Sequence, residues 1–375
     1  MSARGLFTTR GGLRVERTIG DHIDRIAARI ESVLNPREYR AVVLIGGYGR
    51  GEGGVEGLGD DERPHNNYDI LIITQRFASF HCGEVKARVQ RALTPLIEEL
   101  GIGVDVGSIS AFKLAHSPCL VMWYDMRFGH KTILGDASFV PSLTHFECAR
   151  IQCADVRNLM VNRGTLLVIN ELLLESSPLS EFERRTVIKH AMKATIGYGD
   201  ALLFFAGKYH WSYLEKQRRM RLCHDIPVGF RIRYDEAIEF RFEPRYADFA
   251  ERDLAYENRR LLEQLAPLHL RCEALRLGEP GLRWENYLGV ALRHERSATI
   301  DARQRLALLF PMVAFETGVP GTDHAFVDHF LKAPERTPAG MRLAYLNAWG
   351  EHGDLNFMGL LGKLRPGLCR EAAKS

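Results

Sequence analysis

The stretch "GGYGRGEG", residues 46 to 53, and the stretch "NNYDILII", residues 66 to 73, decide how this chain is read. The first follows the apolar run "AVVLI" and has the pattern of a buried strand opening into a glycine turn. The second carries an acid, Asp69, at the start of another apolar strand, with Asn67 two residues before it. Side chains alternate along a strand, so residues 67, 69 and 71 share one face, and Asp105 on the later strand "GVDVGSISA" can join them. Clustered carboxylates repel one another unless a divalent cation lies among them, and hard oxygen ligands select Mg²⁺ or Mn²⁺. The glycines at 46, 47, 49, 51 and 53 allow backbone N–H groups to approach phosphate oxygens, and Arg50 offers positive charge beside them.

Working outward, "HIDRIAARIESVLN" places Ile23, Ile26, Ile30 and Val33 at helical spacing before the first strand. The acidic segment from Gly53 to His65 is expected to be a mobile surface insertion. "FHCGEVKARVQRALTPLIEEL" is a helix between the second and third strands, and "YDMRFGHKTILGD" an edge strand and turn. Beyond that, helical patterns cover residues 147 to 175, 181 to 222, 245 to 277, 284 to 317 and 341 to 364, with a short β-hairpin in "PVGFRIRYDEAIEFRFEP". The expected fold class is α+β: a small mixed-sheet domain over residues 1 to 145, followed by a larger all-helical domain over residues 146 to 375 that covers the cleft.

Composition narrows the function. With 375 residues and 46% hydrophobic content the chain is long enough for two cores. A formal net charge of +3 argues against a long nucleic acid, for which a broad basic face is expected. Seven cysteines, scattered and without a CxxC pair, suggest neither a disulfide framework nor a zinc ribbon. The pairs His116/Cys119 and His269/Cys272 lack a second pair to complete a zinc site. No apolar run reaches membrane-spanning length, so a cytoplasmic protein with no membrane partner is expected. A Gly-x-Ser-x-Gly elbow is missing, and the glycine loop leads into a polar insertion and a strand where a dinucleotide fold has a helix.

The combination of glycine loop, acid-bearing strand and later acid resembles the nucleotidyltransferase superfamily that shares the fold of DNA polymerase β. The wording "GGYGRGE" is similar to the uridylyltransferase domain of the bacterial PII-modifying enzymes, over roughly residues 40 to 135. The resemblance implies transfer of a nucleoside monophosphate from a nucleoside triphosphate to a small-molecule or protein acceptor, with release of pyrophosphate. It assigns Asp69 and Asp105 as catalytic residues, and Asn67, Asp69 and Asp105 as ligands of Mg²⁺ or Mn²⁺. Gly46, Gly47, Tyr48 and Arg50 fall in the nucleotide-binding loop. In related two-domain enzymes a helical domain supplies a lysine to the triphosphate, and Lys193 is the candidate, on a helix face with Lys189, Gly197 and Asp200. Lys208, Tyr209 and Tyr213 are candidates to clamp the base.

Asn67 departs from the family, which has an acid there, and it brings a carbonyl oxygen without charge. Three explanations are open: a degenerate protein that binds nucleotide without turnover, an Asp-to-Asn change made in an active enzyme, or replacement of the ligand by Asp60, Asp61 or Glu62 of the insertion. Accordingly, a silent nucleotide sensor or interaction protein is the alternative to an enzyme, and a toxin-like transferase acting on tRNA is a third. Glu52 is expected to pair with Arg50, reach the metal, or remain a solvated loop acid.

Overall fold

In the computed structural model, residues 5–75, 81–175, 178–295, 301–315, 331 and 337–352 are described. The chain divides into two compact units. The first comprises residues 1–152 together with 209–223 and 235–245, and the second takes the remainder. The boundary expected at 145 therefore lies at 152, and the first unit also takes in two segments from the half of the sequence read as helical.

The first unit opens with α1 (Leu13–Glu31), whose Ile19, Ile23, Ile26 and Ile30 are fully buried, as their spacing requires. Then come β1 (Tyr39–Ile45), the one-turn helix α2 (Gly46–Arg50), the short strands β2 (Val55–Glu56) and β3 (Arg63–Pro64), and β4 (Tyr68–Thr74). They are followed by α3 (Cys82–Leu100), β5 (Val104–Ser110), α4 (Ala111–Ala115), α5 (Val121–Phe128), β6 (Lys131–Gly135) and α6 (Phe139–Ser142). The main sheet is mixed, in the order β5-β4-β1-β6: β1 runs antiparallel to β4 and β6, and β4 runs parallel to β5. Val42, Leu44, Tyr68, Ile70, Ile72, Val104 and Val106 point to the layer formed by α1 and α3, where they share a core with Val85, Val89, Leu93 and Leu96. By the two-residue alternation of strands, Asp69 and Asp105 project from the opposite face.

Three expectations change here. The insertion from Gly53 to His65 folds as a β2–β3 hairpin around a single 3₁₀ turn, tied down where the Glu62 carboxylate accepts the Gly12 N–H at 2.7 Å and Asp60 pairs with Arg14 at 3.1 Å. "YDMRF" completes helix α5, leaving only β6 as the edge strand. The hairpin read in residues 227 to 244 is instead the helix α10 (Val228–Phe242). Its Phe230, Tyr234, Ala237, Ile238 and Phe242 are all fully buried and recur every three or four residues, a period that outweighs the high strand propensity of "FRIRY".

The remaining elements are α7 (Cys153–Leu174), α8 (Glu181–Phe205), α9 (Tyr213–Arg221), α11 (Leu254–Leu277), α12 (Trp284–Glu295), α13 (Ala302–Ala314) and α14 (Pro338–His352). The helix expected over 181 to 222 is thus broken after Phe205, and Ser212 starts a new one by accepting the Glu215 N–H. The last helix, expected over 341 to 364, is described as far as His352, and the rest of that span lies outside the described residues. Among the described residues the second unit is helical, and none of the chain's helices is long and apolar enough to cross a membrane.

The core of the second unit contains a set of buried polar groups. Asn170 donates to the Val187 carbonyl and to Asn258 Oδ1, both at 3.0 Å, and its own Oδ1 lies 2.8 Å from His190 Nδ1. His269, with Nδ1 3.0 Å from the Tyr198 hydroxyl, stands among Trp284, Phe310 and Phe315. Burial lowers the pKa of His190 to about 3 and that of His269 to about 4. The unfolded chain binds protons at these rings from about pH 6.5 downward while the folded chain does not, so stability present above pH 6.5 falls as the pH drops toward those lowered values. Each histidine is expected to cost about 2 kcal/mol at pH 5. Urea unfolding between pH 7 and 5 checks this, and His269→Gln should flatten the profile.

Candidate functional site

β1 ends at Ile45, and Gly46 turns the chain with φ +68°, a left-handed conformation that side chains rarely adopt. A Cβ at Gly46 would fall 2.1 Å from Asp69 Oδ2, so the carboxylate is seated against the turn itself. In the parallel β4–β5 ladder Asp69 is paired in register with Asp105, which places the two acids on adjacent strands and on one face. Asn67, just before β4, donates its amide Nδ2 to Asp105 Oδ2 at 3.1 Å. The fold therefore brings together Gly46, Asn67, Asp69 and Asp105.

Other residues assigned to the loop have different surroundings. Tyr48 is buried, and its hydroxyl donates to the Gly54 carbonyl at 2.8 Å while accepting the His65 N–H at 3.0 Å. Burial pushes its pKa up to about 12. It is a pin that fixes the glycine loop to the hairpin, and its side chain offers nothing to a nucleotide. Arg50, with only 9% of its side chain exposed, forms an ion pair with Asp125 Oδ2 at 2.6 Å, and Tyr209 donates to Asp125 Oδ1 at 3.0 Å. Burial opposes the charge on Arg50, but Asp125 together with Tyr213 and Tyr209 outweighs it and holds the guanidinium's pKa above its usual value. Its charge is already balanced inside the protein, and that leaves little of it for a phosphate.

Glu52 takes none of the three roles expected of it. It is buried, and its carboxylate accepts the Ser212 hydroxyl at 2.5 Å and the N–H groups of Tyr213 and Leu214 at 2.8 and 3.3 Å. It caps the N-terminus of α9 with a charge matched to the helix dipole. Arg50 and Glu52, two residues apart in "GRGE", thus draw the segment from Tyr209 to Arg221 onto the loop.

That segment sets Tyr213, expected as a clamp for the base, beside two cations the sequence did not single out, Lys216 and Arg241. The half-buried Tyr213 ring has three cations about it: the Arg241 guanidinium carbon at 4.1 Å, Lys216 Nζ at 4.3 Å and the Arg50 guanidinium carbon at 4.8 Å from its centroid. Arg241 Nη2 lies 3.1 Å from where a Cβ on Gly47 would sit, directly over the loop backbone. Arg241 escaped notice because its segment reads as strand by propensity. The helical recurrence of Phe230, Tyr234, Ile238 and Phe242 is the signal that would have placed it.

Lys193 is exposed on α8 and belongs to the second unit, so it is not among the residues the first unit gathers. On its helix face Gly197 and Asp200 are buried, with Gly197 packed on Arg163 and Asp200 accepting the Tyr234 hydroxyl at 3.0 Å. Among the described residues no three His, Cys, Asp or Glu side chains are grouped to hold a metal ion, and Asp60 and Glu62 are engaged with Arg14 and Gly12 rather than with Asp69. A cavity of about 300 Å³ lies along Leu6, Phe7, Leu13 and Arg17, and neither Asp69 nor Asp105 lines it. In comparisons with known proteins, no family model matches the chain, and no curated protein or solved structure is significantly similar to it.

Two substitutions test this frame. Gly46→Ala forces a side chain into a left-handed turn and against Asp69, and is expected to lower stability by about 2 kcal/mol or more in urea unfolding. Glu52→Ala removes a charged cap and leaves the α9 N–H groups unpaired, with an expected loss of about 1–2 kcal/mol by the same measurement.

Proposed function

We propose that the chain transfers a nucleoside monophosphate from a nucleoside triphosphate to a hydroxyl of a small-molecule or protein acceptor, releasing pyrophosphate. The observation that carries this reading is the pairing of Asp69 with Asp105 against the Gly46 turn, with a guanidinium lying over Gly47. Two neighbouring carboxylates suit a Mg²⁺ or Mn²⁺ ion that arrives with the triphosphate and keeps several waters, because such an ion needs only one or two protein carboxylates. When bound, the cation supplies positive charge to the α-phosphate.

The chain's own groups do the remainder. The Gly46–Gly47 turn, without side chains, allows its backbone to approach the phosphates closely, and Asp69, seated against Gly46, fixes where the α-phosphate stands relative to it. Asp105 accepts the proton of the acceptor hydroxyl as its oxygen bonds to the α-phosphorus and the bond to the departing pyrophosphate breaks. The Asn67 amide, donating to Asp105, keeps that carboxylate oriented. A net charge of +3 favours a small molecule or protein over a long nucleic acid as acceptor. A reducing, cytoplasmic setting accords with six free cysteines among the described residues.

The same Asn67–Asp105 hydrogen bond favours a second reading, a nucleotide sensor without turnover. An amide there satisfies Asp105 internally and contributes no charge toward a cation. Incubation with each labelled nucleoside triphosphate, Mg²⁺ or Mn²⁺ and a cell extract, followed by a search for labelled product, separates the two. Transfer is expected, reduced about 100-fold or more by Asp69→Ala and increased by Asn67→Asp. Nucleotide binding without transfer, even in Asn67→Asp, selects the sensor.

A further inference from the structure

The geometry points to a preformed polyphosphate-binding site in the first unit, built by Arg241 lying on Tyr213 over Gly47. It deepens the reading above, since the polyphosphate it suits is the pyrophosphate end of a nucleoside triphosphate.

Four observations converge. Arg241 Nη2 rests where any side chain at position 47 would have to go, so the guanidinium meets the glycine loop at backbone distance. The last turn of α10 is fixed in place, because the Arg241 carbonyl packs on Gly54 so closely that a Cβ there would fall 2.7 Å from it. The Tyr213 ring, 4.1 Å from the guanidinium carbon, supports it through its π face without using its N–H donors, and Tyr213 itself is held by Glu52. Arg241 Nε is buried and, among the described residues, has no hydrogen-bond partner.

Three of the neighbouring carboxylates are engaged elsewhere. Glu239 serves Arg10 at 2.8 Å and Gln217 at 2.9 Å, Asp125 serves Arg50 and Tyr209, and Glu52 caps α9. Lys216, fully buried against the same ring, adds further positive charge. A half-buried guanidinium that has no carboxylate partner among the described residues is costly, and its fork of N–H donors matches phosphate oxygens. The residue next to Gly47 along the chain is Gly46, on which Asp69 rests. A phosphate chain with its reacting phosphorus at the acids therefore has its far end beside Arg241.

Calorimetric titration of the full chain with inorganic tripolyphosphate tests this site apart from any transfer. Saturable one-site binding is expected for the unaltered protein. Arg241→Met should weaken it about tenfold or more, Arg241→Lys less, and Tyr213→Leu should also weaken it, while Arg91→Met on the exposed side of α3 leaves it unchanged. Tyr213→Leu and Arg241→Lys keep the test valid should Arg241→Met fail to fold by thermal melting. Absence of tripolyphosphate binding by the unaltered protein, or equal binding by the folded Arg241 and Tyr213 variants, overturns the proposal. Arg241-dependent binding in a protein that transfers no nucleotide leaves this site standing and removes only the transferase reading. Asp69-dependent transfer that is indifferent to Arg241 does the reverse.

Discussion

The contact between Asp69 and Gly46 is the constraint on which the site depends. A carboxylate oxygen occupies the space that any side chain on Gly46 would need, and the left-handed backbone of that glycine turns the chain from β1 into the short helix above the acid. Because β1 and β4 are antiparallel neighbours, with Ile45 opposite Asp69, the exit of one strand and the entry of the other coincide. The parallel pairing of β4 with β5 then sets Asp105 alongside. Two negative charges so placed repel each other. The amide of Asn67 relieves part of that repulsion from one side, and the cations around Tyr213 supply positive charge beside the adjoining turn.

The glycine loop also organises the rest of its unit. In "GGYGRGE" the glycines allow close approach, while the three larger side chains all point into protein. Tyr48 pins the hairpin, Arg50 is neutralised by Asp125, and Glu52 caps α9. The Arg50 and Glu52 contacts are buried and charge-assisted, strong because water is excluded from them, and removing one partner leaves the other uncompensated. Through them a segment more than 150 residues away in sequence is brought to the loop, carrying Tyr213 and Lys216 with it. Side chains that resemble ligand contacts in a motif here do the work of assembly, and the positive charge nearest the loop backbone comes from a different helix.

The second unit is held by a different balance. Its helices close over histidine, asparagine and acid side chains that hydrogen-bond one another in the core, including a Glu273 with no exposed surface that is paired to Arg276 at 2.7 Å and receives the Tyr287 hydroxyl at 3.2 Å. Such networks favour one packing arrangement over others, and they leave the core sensitive to protonation.

The sequence by itself determined the four strands of the main sheet, most helices of each half and the two acids that face one way. Apolar alternation along "YDILIIT" and the three-to-four-residue recurrence in α1 are local patterns, and local patterns are what a linear reading detects. It also exposed Asn67, which stands where the superfamily that the loop resembles has an acid. Only the tertiary structure decided which charges are available at the site. Whether Arg50 meets a phosphate or a buried Asp125 depends on α5, 75 residues away, and Arg241 reaches Gly47 only because α10 is a helix rather than a hairpin. Pairing between distant charges leaves no periodic trace in the chain, since it is set by which surfaces the folded core brings into contact.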